Sequence, residues 1–170
     1  MMSIFKKILA FAMMAMMLLT LASCDAEETP SVNFGFKAVD TASDYNESLS
    51  AFEVGKRFYC SIAIQINTDK KKAHDYKVVV TIPKTNEVDV KEMGGLNPDT
   101  NDWDEEKQQT VLTYTVKGYR EATTEKILFY GTPTDEGDAN LEVHIYDEDG
   151  EEINAGWSRK IFFEYEIQGE

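Results

Sequence analysis

Apolar residues recur at every second position through most of the chain, the period of strands with one buried face. Val32, Phe34 and Phe36 alternate with smaller or polar residues from Ser31 to Lys37, where the first strand is expected. Phe58, Cys60, Ile62, Ile64 and Ile66 make the longest unbroken series, with Tyr59, Ser61 and Gln65 on the opposite face. Tyr76, Val78, Val80 and Ile82 follow a lysine-rich turn at Asp69–Lys72 and stop at Pro83, which has no N–H to continue a ladder. Val88 and Val90 predict a short edge strand. Beyond it the alternation resumes at Leu112, Tyr114 and Val116, at Ile127 and Phe129, and at Leu141, Val143 and Ile145. It closes with Ile161, Phe163, Tyr165 and Ile167, so about eight strands and no helix are expected. Gly94–Lys107 combines glycines, a proline and many acids without any period and reads as the one long loop.

Short strands with one apolar face must bury it against a second sheet, which gives a sandwich or a small barrel. The stretch Phe129-Tyr130-Gly131-Thr132-Pro133, continued by Gly137, Leu141, Val143, Ile145, Asp147 and Gly150, resembles the late strands of many bacterial immunoglobulin-like domains. That resemblance covers about the last quarter of the chain and implies an all-β fold, an immunoglobulin-like antiparallel β-sandwich of about seven or eight strands over residues 31–170. The disulfide and the strand-C tryptophan of antibody domains have no counterpart here, so nothing about antigen recognition carries over.

The first residues follow another logic. Lys6 and Lys7 precede the apolar run Ile8–Leu19, which ends in Leu21-Ala22-Ser23-Cys24, the order of parts in an export signal. The run is short of the roughly 20 residues that span a bilayer, and acids follow at once, so a cleaved signal over 1–23 is preferred to a retained helix. Leu-Ala-Ser-Cys resembles the lipobox of bacterial lipoproteins, which implies diacylglycerol on the Cys24 thiol and a third acyl chain on the freed amine. Several chains anchor firmly, at about 0.8 kcal/mol per buried methylene. An ordinary secreted protein with a chance cysteine at the cut is the alternative. Asp25-Ala26-Glu27-Glu28 opens an acidic tether over 24–30. Several acids after the cysteine resemble surface-export signals, whereas Asp25 alone resembles an inner-membrane retention signal. The outer membrane of a Gram-negative bacterium, on its periplasmic or surface side, is the expected address.

Removing the first 23 of 170 residues leaves 147, enough for one domain with its own core. It also removes Lys6 and Lys7 and no acid, taking the net charge from -14 to -16. That sign argues against nucleic-acid binding, which depends on cations displacing counterions from phosphates, and favours solubility at a crowded surface. Once Cys24 is acylated only Cys60 remains, so no internal disulfide is expected, and its strand parity predicts a buried apolar side chain. Six of the seven methionines lie in the discarded segment and say nothing of function.

Nucleophilic catalysis needs a base beside the nucleophile, and the two histidines, His74 and His144, stand in a turn and on a predicted outer face, away from any nucleophile motif. No paired cysteines and no H-E-x-x-H support zinc. Acid-pair glycoside hydrolysis is left as a minor reading, because the carboxylates cluster in turns. Calcium takes six to eight oxygens, which Asp99, Asn101, Asp102 and Asp104, with Glu105 and Glu106, could supply in part from one loop, although the EF-hand glycine and distal glutamate are missing. Trp103 in that loop could stack on a sugar or anchor a protein partner, or fold back over the sandwich; Trp157, after Gly156, reads as packing at a sheet end. The sequence therefore points to a lipid-anchored, non-enzymatic binding module with no cofactor, whose partner is an envelope protein. A glycan-binding accessory lipoprotein of an outer-membrane uptake system is the alternative.

Overall fold

The computed structural model describes residues 29–38, 47–67, 74–90, 94–118 and 124–165. The signal segment and Cys24 lie outside these residues, as does Ile167. Ten strands follow one another: β1 Thr29–Ala38, β2 Ala51–Glu53, β3 Phe58–Asn67, β4 Asp75–Pro83, β5 Thr85–Asp89, β6 Thr100–Asp104, β7 Gln109–Lys117, β8 Thr124–Pro133, β9 Gly137–Tyr146 and β10 Trp157–Glu164. No helix occurs among the described residues. The strands form two sheets, a four-stranded one in the order β1-β3-β8-β5 and a six-stranded one in the order β2-β10-β9-β4-β7-β6. The expected immunoglobulin-like sandwich is thus the fold.

Parity explains the core. Phe58, Cys60, Ile62, Ile64 and Ile66 on β3 meet Tyr76, Val78, Val80 and Ile82 on β4, and all nine side chains are buried. Burying each such apolar side chain is worth roughly 1.5–3 kcal/mol, so the alternation itself holds the layers together. One end of the core is aromatic: the Phe52 ring lies 4.8 Å from Phe58 and 5.6 Å from Phe36, and Phe58 lies 5.8 Å from Phe163.

Four details depart from the sequence reading. β2 adds a strand that the alternation does not announce, because three residues show a single inward side chain, Phe52. It pairs with β10 in parallel, so the sandwich is not wholly antiparallel. β1 takes in Thr29 and Pro30, which the sequence assigned to the tether. At the other end the last strand stops at Glu164, Tyr165 is exposed, and Trp157 opens β10 instead of preceding it.

The fourth departure bears on function. Gly94–Lys107 is not one loop: it contains β6, paired antiparallel to β7 with Asn101 opposite Leu112 and Trp103 opposite Thr110. Leu112 and Thr110 are buried, so Asn101 and Trp103 share their inward face, and only one of those two is apolar. A five-residue strand so patterned leaves no hydrophobic period, and its aspartates suit an edge that must not recruit foreign strands.

Six strands against four leave the larger sheet with an unmatched flank. The chain passes from β4 in one layer to β5 in the other through Lys84 alone, which takes the left-handed φ of 53°. Buried Thr85 secures the step: its hydroxyl donates to the Pro83 carbonyl at 3.0 Å, and its own carbonyl accepts from Thr110 Oγ1 at 2.6 Å. β5 therefore packs on β7, and β6 lies beyond it as a ledge.

Candidate functional site

Along this ledge runs a groove of about 410 Å³, within the roughly 300–1,000 Å³ typical of small-ligand sites. One bank is β6, which contributes Asn101 and half-buried Trp103. The other is the outer face of the four-stranded sheet, with Tyr130 and Thr132 of β8 and Arg57 from the turn before β3. β5 forms the floor between them, bringing Glu87, Val88 and Asp89. The banks are tied by one side-chain bond, from Asn101 Nδ2 to the Val88 carbonyl at 3.0 Å.

Tyr130 is fixed on three sides. Its hydroxyl donates to Asp89 Oδ2 at 2.8 Å, the Arg57 guanidinium lies 4.3 Å from its ring centroid, and the Tyr59 ring meets it edge-on at 5.8 Å. Lys37 stands 5.2 Å above the Tyr59 ring, so Lys37, Tyr59, Tyr130 and Asp89 form a row across all four strands of that sheet. Register accounts for the row, since Lys37 pairs with Tyr59, Tyr59 with Tyr130 and Tyr130 with Asp89. Cross-strand aromatic and charged pairs of this kind hold side chains in place.

The structure brings Trp103 and Asn101 into the groove, and it disperses the acids grouped with them as calcium ligands. Asp102 alternates to the opposite face of β6. Asp99 accepts the Thr115 hydroxyl at 2.8 Å, and Asp104 Oδ1 accepts the backbone N–H groups of Glu106 and Lys107, each at 3.1 Å, closing the turn to β7. Among the described residues no group of three or more His, Cys, Asp or Glu side chains is placed to hold a metal ion.

The remaining candidates lie elsewhere. Cys60 is fully buried, and burial pushes its thiol pKa up. The His74 ring packs 4.5 Å from that of Tyr76. His144 is no freely solvated side chain: Nδ1 lies 2.6 Å from Glu152 and Nε2 3.6 Å from Glu142. The Glu152 hydrogen bond raises its pKa, against a smaller opposing effect of burial. Trp157 packs against the core. Tyr130, Arg57 and Asp89 escaped the sequence reading. Tyr59 and Tyr130 each follow a buried phenylalanine, Phe58 or Phe129, and stand at outward parity, and aromatic rings at outward parity were the available signal.

No protein-family profile matches the chain, and no curated protein does. Solved structures with a similar course of the chain include the soluble domain of PmoD from Methylocystis sp., at 10% identity over 78% of this chain and 90% of that one, TM-score 0.38. A cohesin module of a Clostridium perfringens family 33 glycoside hydrolase matches at 13% identity over 79% and 98%, TM-score 0.41. The C-terminal domain of the Streptococcus pyogenes antigen I/II-family protein AspA matches at 10% identity, TM-score 0.42; the match covers 78% of this chain but 46% of that one. These likenesses concern the β-sandwich architecture only.

Proposed function

We propose that the chain is a non-enzymatic binding module of the bacterial cell envelope, held to a membrane by acyl chains on Cys24 and meeting its partner at the groove along β5. The groove carries this reading. It sets a half-buried indole, a braced tyrosine, an arginine, amides and carboxylates around one open channel, and none of its side chains is a histidine or cysteine. Such a set gives contact area and directed hydrogen bonds, and aromatic and arginine side chains supply most of the binding energy at recognition sites. The lipobox Leu21-Ala22-Ser23-Cys24 supports the anchor.

Two arms test it. Cys24→Ala should move the protein from the membrane fraction to the soluble fraction, and unchanged partition would overturn the anchor. Affinity capture from intact envelopes should recover specific components with the wild-type chain and lose them with Trp103→Ala; capture indifferent to that substitution would overturn the groove.

A further inference from the structure

We infer that the groove along β5 binds a neutral oligosaccharide, a proposal that rests on the groove being the binding site. A sugar ring offers two unlike surfaces, a face of C–H groups and a rim of hydroxyls that both donate and accept. Recognition therefore needs an aromatic plane beside planar polar groups. Trp103 supplies the aromatic plane from the β6 bank, and Tyr130, only 7% exposed beneath Arg57, stiffens the opposite bank. Between them lie the amides of Asn86 and Asn101, the carboxylates of Glu87 and Asp89, and the Arg57 guanidinium. All are planar, and Asn86 and Glu87 can match a pair of neighbouring hydroxyls in the bidentate manner of an amide or carboxylate, while Asn101, Asp89 and Arg57 already hold the Val88 carbonyl, the Tyr130 hydroxyl and the Tyr130 ring.

Charge selects among glycans. Glu87 and Asp89 on β5 stand against Arg57, whose guanidinium already lies over the Tyr130 ring, so an anionic sugar would meet two carboxylates and one engaged cation. The walls also suit a preformed site. Asp89 and Arg57 fix the Tyr130 ring, and the Asn101 bond to the Val88 carbonyl fixes the spacing of the banks, so little ordering accompanies binding. An extended peptide is the competing occupant. It would need apolar pockets at alternate positions, whereas the floor strand offers Val88 between two acids.

The full-length protein in detergent is to be screened on a broad array of neutral glycans and, in parallel, on a library of extended peptides. Binders are then titrated by tryptophan fluorescence. The expected result is a neutral oligosaccharide that perturbs the indole signal, with affinity reduced about tenfold or more by Trp103→Ala and also reduced by Glu87→Gln, while Trp157→Phe binds as wild type. Cooperative thermal unfolding of each variant separates lost binding from lost folding, and Trp103→Tyr, which keeps an aromatic plane, should restore part of the affinity. No neutral glycan binding, or binding indifferent to Trp103→Ala, overturns the proposal. Peptides that bind and are lost with Trp103→Ala would overturn the sugar but leave the binding module standing. Envelope capture indifferent to Trp103→Ala would remove the module's groove as well.

Discussion

His144 Nδ1 lies 2.6 Å from Glu152 Oε1, so an imidazole on β9 grips the turn that leads to β10. Tyr146 and Glu152 also form a bridge there, and the Ile153 N–H donates to the Ile145 carbonyl at 2.8 Å.

This contact makes stability depend on pH in a defined direction. Glu152, and after it Glu142, favour the imidazolium, so the folded pKa lies above the ordinary imidazole value. A raised folded pKa stabilises fully below the unfolded value, and the contribution is lost as pH rises through the folded one. Wild type should therefore exceed His144→Gln in stability by more at pH 5.5 than at pH 8.5. Paired denaturant titrations at the two pH values measure this, and an equal difference at both would refute it. NMR titration should find the His144 pKa lowered by Glu152→Gln.

Tyr114 brings a hydroxyl into the core, where it is buried without a hydrogen-bond partner. Burial, and secondarily the nearby Cys60, raise its pKa, so it stays neutral. An unsatisfied buried hydroxyl costs about 1–3 kcal/mol. Tyr114→Phe should leave the denaturation midpoint unchanged or raise stability by roughly 1 kcal/mol. A loss of that size would mean the hydroxyl is bonded.

Gly131 occupies an inward position of β8 that would otherwise carry a core side chain. A Cβ there would stand 2.6 Å from Thr85 Cγ2 and 3.3 Å from Phe58 Cε1. Thr85 is held by its two hydrogen bonds and has little room to yield. Gly131→Ala should cost about 1–3 kcal/mol, the usual range for overpacking, as read from equilibrium unfolding. It should also weaken groove binding, since Gly131 pairs with Val88 on the groove floor.

Calcium should not stabilise the protein. Asp99 and Asp104 are committed to Thr115 and to a turn, and Asn101 to β5. Millimolar calcium and a chelator are expected to give the same melting temperature, and a rise of several degrees with calcium would show a site.

The strands most legible in the sequence were those whose inward residues are nearly all apolar. β3, β4 and β9 bury apolar side chains at every second position, as does β7 apart from Thr110; β3 and β4 were expected within a residue or two of their ends, whereas β7 and β9 begin three and four residues before the first residue of the alternation. The edges were not legible, for a reason in their physics. β2 and β6 bury little, and β6 carries aspartates that keep an open edge from pairing further, so their patterns look like loops. The candidate site suffered the same blindness. Trp103 stood out as a large ring among acids, but Arg57, Tyr130 and Asp89 became partners only through register across β3, β8 and β5.

The unmatched flank has a thermodynamic consequence. On the opposite side the edge strands of the two layers meet through aromatic rings, Phe36 of β1 lying 5.6 Å from Phe52 of β2. On the ledge, the amide of Asn101 on β6 donates to the Val88 carbonyl of β5. A molecule lying in the groove touches both layers and adds ties where the chain supplies few. Its binding energy then counts toward keeping the layers closed, so ligand concentration should raise the melting temperature. Amide exchange along β5 and β6 should slow ahead of the rest of the sandwich.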